Sequence, residues 1–280
     1  MKNILSIDVE ELFHTEYARD SKIKSTCFRT PNNINGILQL LDEFDLKATF
    51  FVVGEVAERF PGVIKEIDNG GHEVAFHSYD HRSLSKKNSS KLRSEIEDFN
   101  KLLMSVTGNR CIGFRAPSFS LNNKTIWALE VLEKSGMLYD SSVFPIRTPL
   151  YGVFDAPVKP YKPSNRDLTV ENLNGKLWEF PLTVYSFLGF RIPAAGGFYL
   201  RSFPSIVRQA VRKMNSLGLP AVIYIHNWEL DPDTPKLKLN PYRYFVTYYN
   251  THKMVNLFKC ILSEFEFTSF SGYMEENKMV

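Results

Sequence analysis

Residues 48–81, ATFFVVGEVAERFPGVIKEIDNGGHEVAFHSYDH, carry the pattern on which the fold turns. Ala48 to Val53 is a short apolar, β-rich run that reads as a buried strand, and His72 to Phe76 reads as a second. Between them, Glu55 to Asp68 follows Gly54 with helical spacing, and Pro61 marks a break or boundary within it. A strand, a helix and a strand within so short a stretch form the repeating unit of a parallel sheet.

The same alternation extends in both directions. Ile4 to Val9, Ile112 to Phe114, Leu177 to Phe180, Ala221 to Ile225 and Phe265 to Phe270 read as further strands. Helices are expected at Asn35 to Phe44, Lys91 to Val106, Asn123 to Ser135, Pro204 to Leu217 and His252 to Glu264. The Lys91 helix is expected to be capped by Ser89-Ser90 and ended by Gly108. Pro145 to Asn174, with prolines at 145, 149, 157, 160 and 163, and Asn227 to Tyr242, with prolines at 232, 235 and 241, read as irregular excursions. Neither reads as a linker, so residues 1–280 are expected to form one α/β domain. Its length of 280 residues suits a barrel of alternating strands and helices.

Composition narrows the class. Apolar residues make up 44% of the chain, with 22 Phe and 13 Tyr, enough for a large core. The 34 basic and 31 acidic residues are interspersed and leave a formal charge of +3, which argues against a nucleic-acid partner. Cys27, Cys111 and Cys260 are far apart, so neither a disulfide framework nor a thiolate metal site is expected. No run approaches the ~18 apolar residues of a membrane span. The acid at position 8 is unlike the core of a signal peptide. The chain is therefore expected to be cytoplasmic, and contact with a lipid-linked glycan stays open. Oligomeric state leaves no trace in the sequence.

Chemistry-bearing side chains fall where strands end. Asp8 and Glu10 close the first run, His77 the third, Arg115 the fourth and His226 the sixth, and barrel enzymes place their catalytic groups at such ends. His77-Ser-Tyr-Asp-His81 is an HxxxH spacing, which sets two imidazoles on one side if the segment is helical or tightly turned. Asp8 and Glu10, two apart on a strand, point the same way, so one can ligate a metal while the other stays available as a base. Two imidazoles and one carboxylate leave positions for water and substrate, as in catalytic zinc sites. His14 and His72 read as structural or rim residues. Gly196-Gly197 reads as a turn or a place of close backbone approach.

Several strings, in order along nearly the whole chain, resemble the polysaccharide deacetylase family, the NodB-homology group also called carbohydrate esterase family 4. They are Ser-Ile-Asp8-Val-Glu10, residues 48–54, residues 71–81, Phe-Arg115-Ala-Pro117-Ser-Phe119, Tyr-Asp140-Ser-Ser and Ile-His226-Asn-Trp228-Glu. The stretch from His226 to Phe270 resembles the subfamily found with exopolysaccharide and exosortase loci. The resemblance implies a distorted (β/α) barrel of seven to eight strands that removes acetyl groups from an amino sugar. It implies a divalent metal, zinc first, with Co, Ni, Fe or Mn also accepted by such ligands. Carried over residue by residue, it makes Asp8 the catalytic base, Arg115 its partner and His226 the catalytic acid. His77 and His81 become metal ligands. The family's second acid is absent, since position 9 is Val, and Glu10 stands in as the third ligand. Pro117, Phe119, Asp140 and Trp228 are the expected substrate-binding residues, although Trp228 reads equally as core in so aromatic a chain, and a backbone N–H near Phe119 is the expected oxyanion donor.

Three rival readings accompany this one. A relative on the same scaffold could cleave a small amide or ureide without a metal, although its metal residues are typically altered. An inactive glycan-binding scaffold could retain the barrel. A glycoside hydrolase using Asp8 and Glu179 would leave the HxxxH spacing unexplained.

Overall fold

The structure, a computed structural model, describes residues 1–19, 28–148 and 151–279. Cys27 and Pro149 lie outside the described residues. Strand β1 (Asn3–Val9) is buried along its whole length. It pairs in parallel with β2 (Thr49–Val52) on the run Ser6 to Val9, and with β9 (Val222–His226) on the run Ile4 to Asp8. From β2 the sheet continues through β3 (Glu73–Phe76), β4 (Gly113–Phe114), β5 (Tyr139–Asp140) and β6 (Trp178–Glu179), all parallel. An eighth strand, β10 (Phe267–Thr268), lies beside Asn3 and Ile4. This is the distorted (β/α) barrel that the sequence implied. Among the described residues the sheet does not close by strand pairing, and Thr183 and Ala195 hydrogen-bond to the β9 backbone instead.

Period-two alternation sets the two faces of β1. Leu5, Ile7 and Val9 join a core beneath the helices, while Ile4 faces an inner cluster rich in aromatic residues. Ser6 and Asp8 share the inner side with Ile4. Phe51, Tyr139, Phe180 and Phe270 pack ring against ring in that interior, with Tyr139 and Phe270 stacked at 4.8 Å. Phe270 opens the helix that follows β10, so the chain's last segment plugs the barrel.

The helices between strands are α1 (Thr30–Glu43), α2 (Gly54–Arg59), α3 (Pro61–Asn69), α4 (Ser89–Thr107), α5 (Trp127–Lys134), α6 (Gly197–Ser202) and α7 (Pro204–Ser216). After β9 come α8 (Pro241–Tyr248), α9 (Met254–Glu264) and α10 (Phe270–Glu276). The expected helix at 55–68 is split at Phe60–Pro61 into α2 and α3. The cap of α4 is Asn88, whose side chain accepts from Lys91 N, and not the serines after it. Gly108, at φ 77, ends α4 as expected. Helix α1 starts earlier than expected because Glu11 accepts from the Arg29 and Thr30 amides and the Thr30 hydroxyl. The excursion at 145–174 holds only isolated bridges among its described residues, Tyr161 to Glu179 and Pro163 to Glu171. A hairpin, β7 (Val184–Phe187) with β8 (Phe190–Pro193), was not anticipated. Among the described residues no helix is long and apolar enough to cross a membrane.

Candidate active site

Strand register assembles the polar cluster. Asp8 sits opposite His226 in the β1–β9 pair, and Phe76 opposite Phe114 in the β3–β4 pair, so His77 and Arg115 follow at matching heights. Segment 77–81 is not helical. Ser78 (φ 66) and His81 (φ 52) take left-handed backbone conformations that fold His81 back toward His77, with ring centroids 4.8 Å apart.

Glu10, His77 and His81 are buried, and their ligand atoms lie within 4.8 Å of one another. His77 Nδ1 lies 2.8 Å from the Arg115 carbonyl, and His81 Nδ1 2.9 Å from the His14 carbonyl. Carbonyls only accept, so each Nδ1 carries the proton and each Nε2 presents a lone pair, the usual arrangement around metal-binding imidazoles. Burial and the neighbouring His81 hold His77 down at about 4 against the pull of Asp8 and Glu10, which leaves the ring neutral at pH 7. Glu10 Oε2 is 2.8 Å from His81 Nε2 yet, among the described residues, is buried with no aligned hydrogen-bond donor. Burial opposes its charge, but His81, His226 and His77 keep its carboxyl well below the usual range. An orphaned carboxylate oxygen beside two imidazole lone pairs fits a divalent cation. Glu10 Oε1 accepts from Trp228 Nε1 at 3.3 Å, and Asn227 Oδ1 accepts from the Glu10 amide.

Asp8 stands on the other side of His77. Its Oδ1 accepts from Arg115 Nη1 at 2.6 Å, and its Oδ2 is 3.8 Å from His77 Nε2. The Arg115 guanidinium is fully buried, lies 4.1 Å over the Phe51 ring, and donates also to Ser6 Oγ and to the carbonyl and hydroxyl of Ser141. All three nitrogens of the fork are thus engaged.

His226 faces the cluster from β9, its Nε2 3.7 Å from Glu10 Oε1. Its Nδ1 is 3.0 Å from Glu229 Oε2, and Glu229 Oε1 accepts from Arg201 Nε and Nη2 at 3.0 and 2.7 Å. Burial alone would lower His226, but Glu229, Glu10 and Asp8 outweigh it and raise the imidazole to about 9. A Cβ on Gly197 would come within 2.0 Å of Glu229 Oε2, so this glycine marks a close approach of α6 to the carboxylate. Glu229 and Arg201 received no role from the sequence. The only signal was an acid three residues after His226, on the short turn Asn227–Leu230 that completes β9.

The expected substrate-binding residues divide. Pro117 opens a tight turn in which Ser118 and Phe119 have φ near 50° (52 and 48). The Phe119 N–H donates to the Ala116 carbonyl at 3.1 Å, so the oxyanion role expected near it cannot fall to that amide in this conformation. Its ring packs on Phe144, Tyr151 and Tyr224. Trp228 is 7% exposed and stacks on His226 at 5.2 Å, which turns it toward positioning Glu10 and His226 and away from an open sugar platform. Asp140 departs from the expectation, because its buried side chain is engaged with Ser142 and Glu179. It accepts from Ser142 Oγ and faces Glu179. Burial and the adjacent Asp140 raise the Glu179 carboxyl well above its usual range. Glu179 Oε1 accepts from the Val143 amide, and Ser142 Oγ accepts from Ala116 N, so the pair braces the turn that holds Arg115. Glu179→Gln should therefore change the urea unfolding free energy little, whereas Glu179→Ala should cost about 3 kcal/mol by stranding a buried Asp140. His14 and His72 are structural. His14 accepts from the Glu11 amide and meets Glu55, and His72 packs on Phe50.

An open (β/α) barrel with acid, imidazole and guanidinium groups gathered at the carboxyl ends of its strands has the layout of barrel enzymes. Comparison with known proteins narrows this. The family model described as Polysaccharide deacetylase matches residues 20–137, and one described as Domain of unknown function (DUF3473) matches 141–275. Residues 20–137 thus carry the similarity to polysaccharide deacetylases. It is 39% identical over 101 residues to the peptidoglycan-N-acetylglucosamine deacetylase of Bacillus cereus, a match spanning 34% of each protein. The chain thus spans about a third of that relative's length. Among solved structures, a candidate polysaccharide deacetylase from Mycobacterium smegmatis superposes with a TM-score of 0.62 at 20% identity, over 98% of this chain and 90% of that one. A family 4 pseudoenzyme from Bacillus anthracis superposes with a TM-score of 0.50 at 15% identity, over 97% of this chain and 65% of that one. A fold shared with a pseudoenzyme does not by itself establish activity, which has to be argued from the side chains.

Proposed function

We propose that this chain is a metal-dependent N-deacetylase that hydrolyses the acetamide of an amino sugar in a glycan or glycan precursor. The observation that carries this reading is the orphaned Glu10 oxygen converging with the lone pairs of His77 and His81, beside an Arg115-held Asp8. Zinc is the first candidate among divalent ions, given two imidazoles and one carboxylate. When bound, the ion would supply Lewis acidity to polarise the acetamide carbonyl and ease ionisation of water.

The chain's own groups do the rest. Asp8 takes the proton of the attacking water through Oδ2, because Oδ1 is committed to Arg115. His226, held protonated by Glu229, delivers a proton from Nε2 to the departing nitrogen. The C–N bond then breaks to give acetate and a free amine. Asp8 and His226 are register partners on adjacent strands, so base and acid flank the bound acetamide from a rigid sheet.

Acetate release from an N-acetylated sugar oligomer, measured before and after chelation and after zinc is restored, tests this reading. Loss on chelation and recovery with zinc are expected. Activity that survives complete metal removal would favour a metal-independent amide hydrolase. A protein that binds zinc and oligomer but releases no acetate would favour a glycan-binding scaffold.

A further inference from the structure

The β7–β8 hairpin ends in a tip that is poorly suited to water. Its two-residue turn, Leu188–Gly189, has positive φ at both positions, 48° and 81°, as the twist of paired strands requires. Gly189 adopts this freely. Leu188 carries a branched apolar side chain where Asn or Asp would be at ease, and that side chain is 80% exposed. The flanking pair, Phe187 and Phe190, is 56% and 73% exposed. A strained Leu and two open Phe rings are not what the hairpin needs in order to fold, so their apolar character asks for another reason.

Period-two alternation gives the ribbon two unlike faces. Tyr185, Phe187, Phe190 and Ile192 share one, which opens progressively from Tyr185, packed on the core, to the tip. Ser186 and Arg191 share the other. Two cations stand behind the tip. Lys213 of α7 donates from Nζ to the Ser186 carbonyl at 2.6 Å, and Arg191 donates from Nη1 to the carbonyls of Phe154 and, at 2.9 Å, Ala156. Asp155 attracts Arg191 without bonding it, and among the described residues neither cation is bridged to a carboxylate. The hairpin is anchored at the amino end of β9, where the Val222 N–H donates to Thr183 Oγ1 at 2.7 Å, whereas Asp8 and His226 stand at the opposite end of their strands. The tip thus serves no step of catalysis.

We propose that this hairpin attaches the chain to a membrane surface. Phe187, Leu188 and Phe190 enter the boundary between headgroups and acyl chains, and Lys213 and Arg191 meet anionic headgroups behind them. A projecting tip fits a fluid surface, which needs no matching pocket. Its three side chains offer on the order of 400 Å² of apolar surface, about half of what one partner contributes to a standard protein interface, so lipid is favoured over a second protein. Attachment is measured without turnover and stands apart from the deacetylase reading.

The test is flotation of the full chain with phosphatidylcholine vesicles, with and without phosphatidylglycerol. Wild type should float with both and bind about tenfold more strongly when phosphatidylglycerol is present. Leu188→Asn suits the left-handed turn, so its thermal unfolding midpoint should hold or rise while vesicle binding falls about tenfold. Adding Phe190→Ser should bring the loss to about a hundredfold. Lys213→Gln should reduce the gain from phosphatidylglycerol and leave binding to phosphatidylcholine alone unchanged. Equal binding by wild type and Leu188→Asn, or no flotation of wild type with either vesicle, overturns the attachment. Self-association of wild type that Leu188→Asn disperses, seen by light scattering in the absence of vesicle binding, overturns it in favour of a contact between copies of the chain.

Discussion

Replacing His77 by alanine is expected to abolish metal binding and turnover together. The imidazole fills one corner of a three-donor cluster, and its Nδ1 is anchored on the Arg115 carbonyl, so its loss removes a donor held in a fixed position. Removing it leaves two of the three donors, His81 and Glu10. Glu10→Ala should have the same outcome, because Asp8 Oδ1 is taken by Arg115 and cannot turn to replace it. Elemental analysis of purified wild type, His77→Ala and Glu10→Ala is the check. About one zinc-like ion per chain in wild type and none in either variant is expected, with acetate release at background in both. Zinc retained by Glu10→Ala would move the carboxylate ligand to Asp8. Full turnover by metal-free His77→Ala would sink the mechanism. Thermal unfolding separates these outcomes from misfolding, since a buried His-to-Ala change leaves a cavity but no stranded charge.

The parts of this chain that could be read from sequence are those governed by periodicity and strand-end position. The apolar runs at 4–9, 48–53, 72–76 and 221–225 form strands because each is short, apolar and bounded by turn residues. Asp8, Glu10, His77, Arg115 and His226 stood out because polar groups at the ends of buried strands need partners. Strand β5 escaped because Tyr139–Asp140 is two residues long and offers no period to detect. Helix α8 was hidden by the prolines around it, although Pro241 in the first turn of a helix is favourable. Asp140 misled for a different reason. Its motif marks a strand end, but only packing reveals that the side chain points at Glu179 beneath Arg115. Glu229 and Arg201 were illegible because the bond that matters joins residues 28 positions apart, on a turn and a helix.

Glu229 also sets the last expectation, which concerns pH. His226 is raised to about 9 by Glu229, Glu10 and Asp8 against the lowering effect of burial. A cation on Glu10 would cancel that residue's share, leaving Glu229, itself lowered to about 2 chiefly by Arg201 and His226 against its own burial, as the main source of the rise. The acid must be protonated to release the amine, so turnover should hold below the His226 value and fall as pH climbs through it. Glu229→Gln removes the charge and lowers the imidazole, so the alkaline limb of kcat should move to lower pH by one unit or more. This variant leaves Arg201 buried without its carboxylate, a change expected to cost about 3–5 kcal/mol. The double variant Glu229→Gln with Arg201→Met avoids the stranded cation and should show the same displaced limb in a better-folded protein. His226→Ala completes the series. It keeps the three metal donors, so zinc content should match wild type, while kcat falls by roughly a hundred- to ten-thousand-fold and the alkaline limb disappears. A limb that stays in place in both Glu229 variants would assign it to another group and leave His226 without a role as the acid. A limb that moves with Glu229 and vanishes with His226 ties the proton to that imidazole, since a purely structural role would lower the rate at every pH alike.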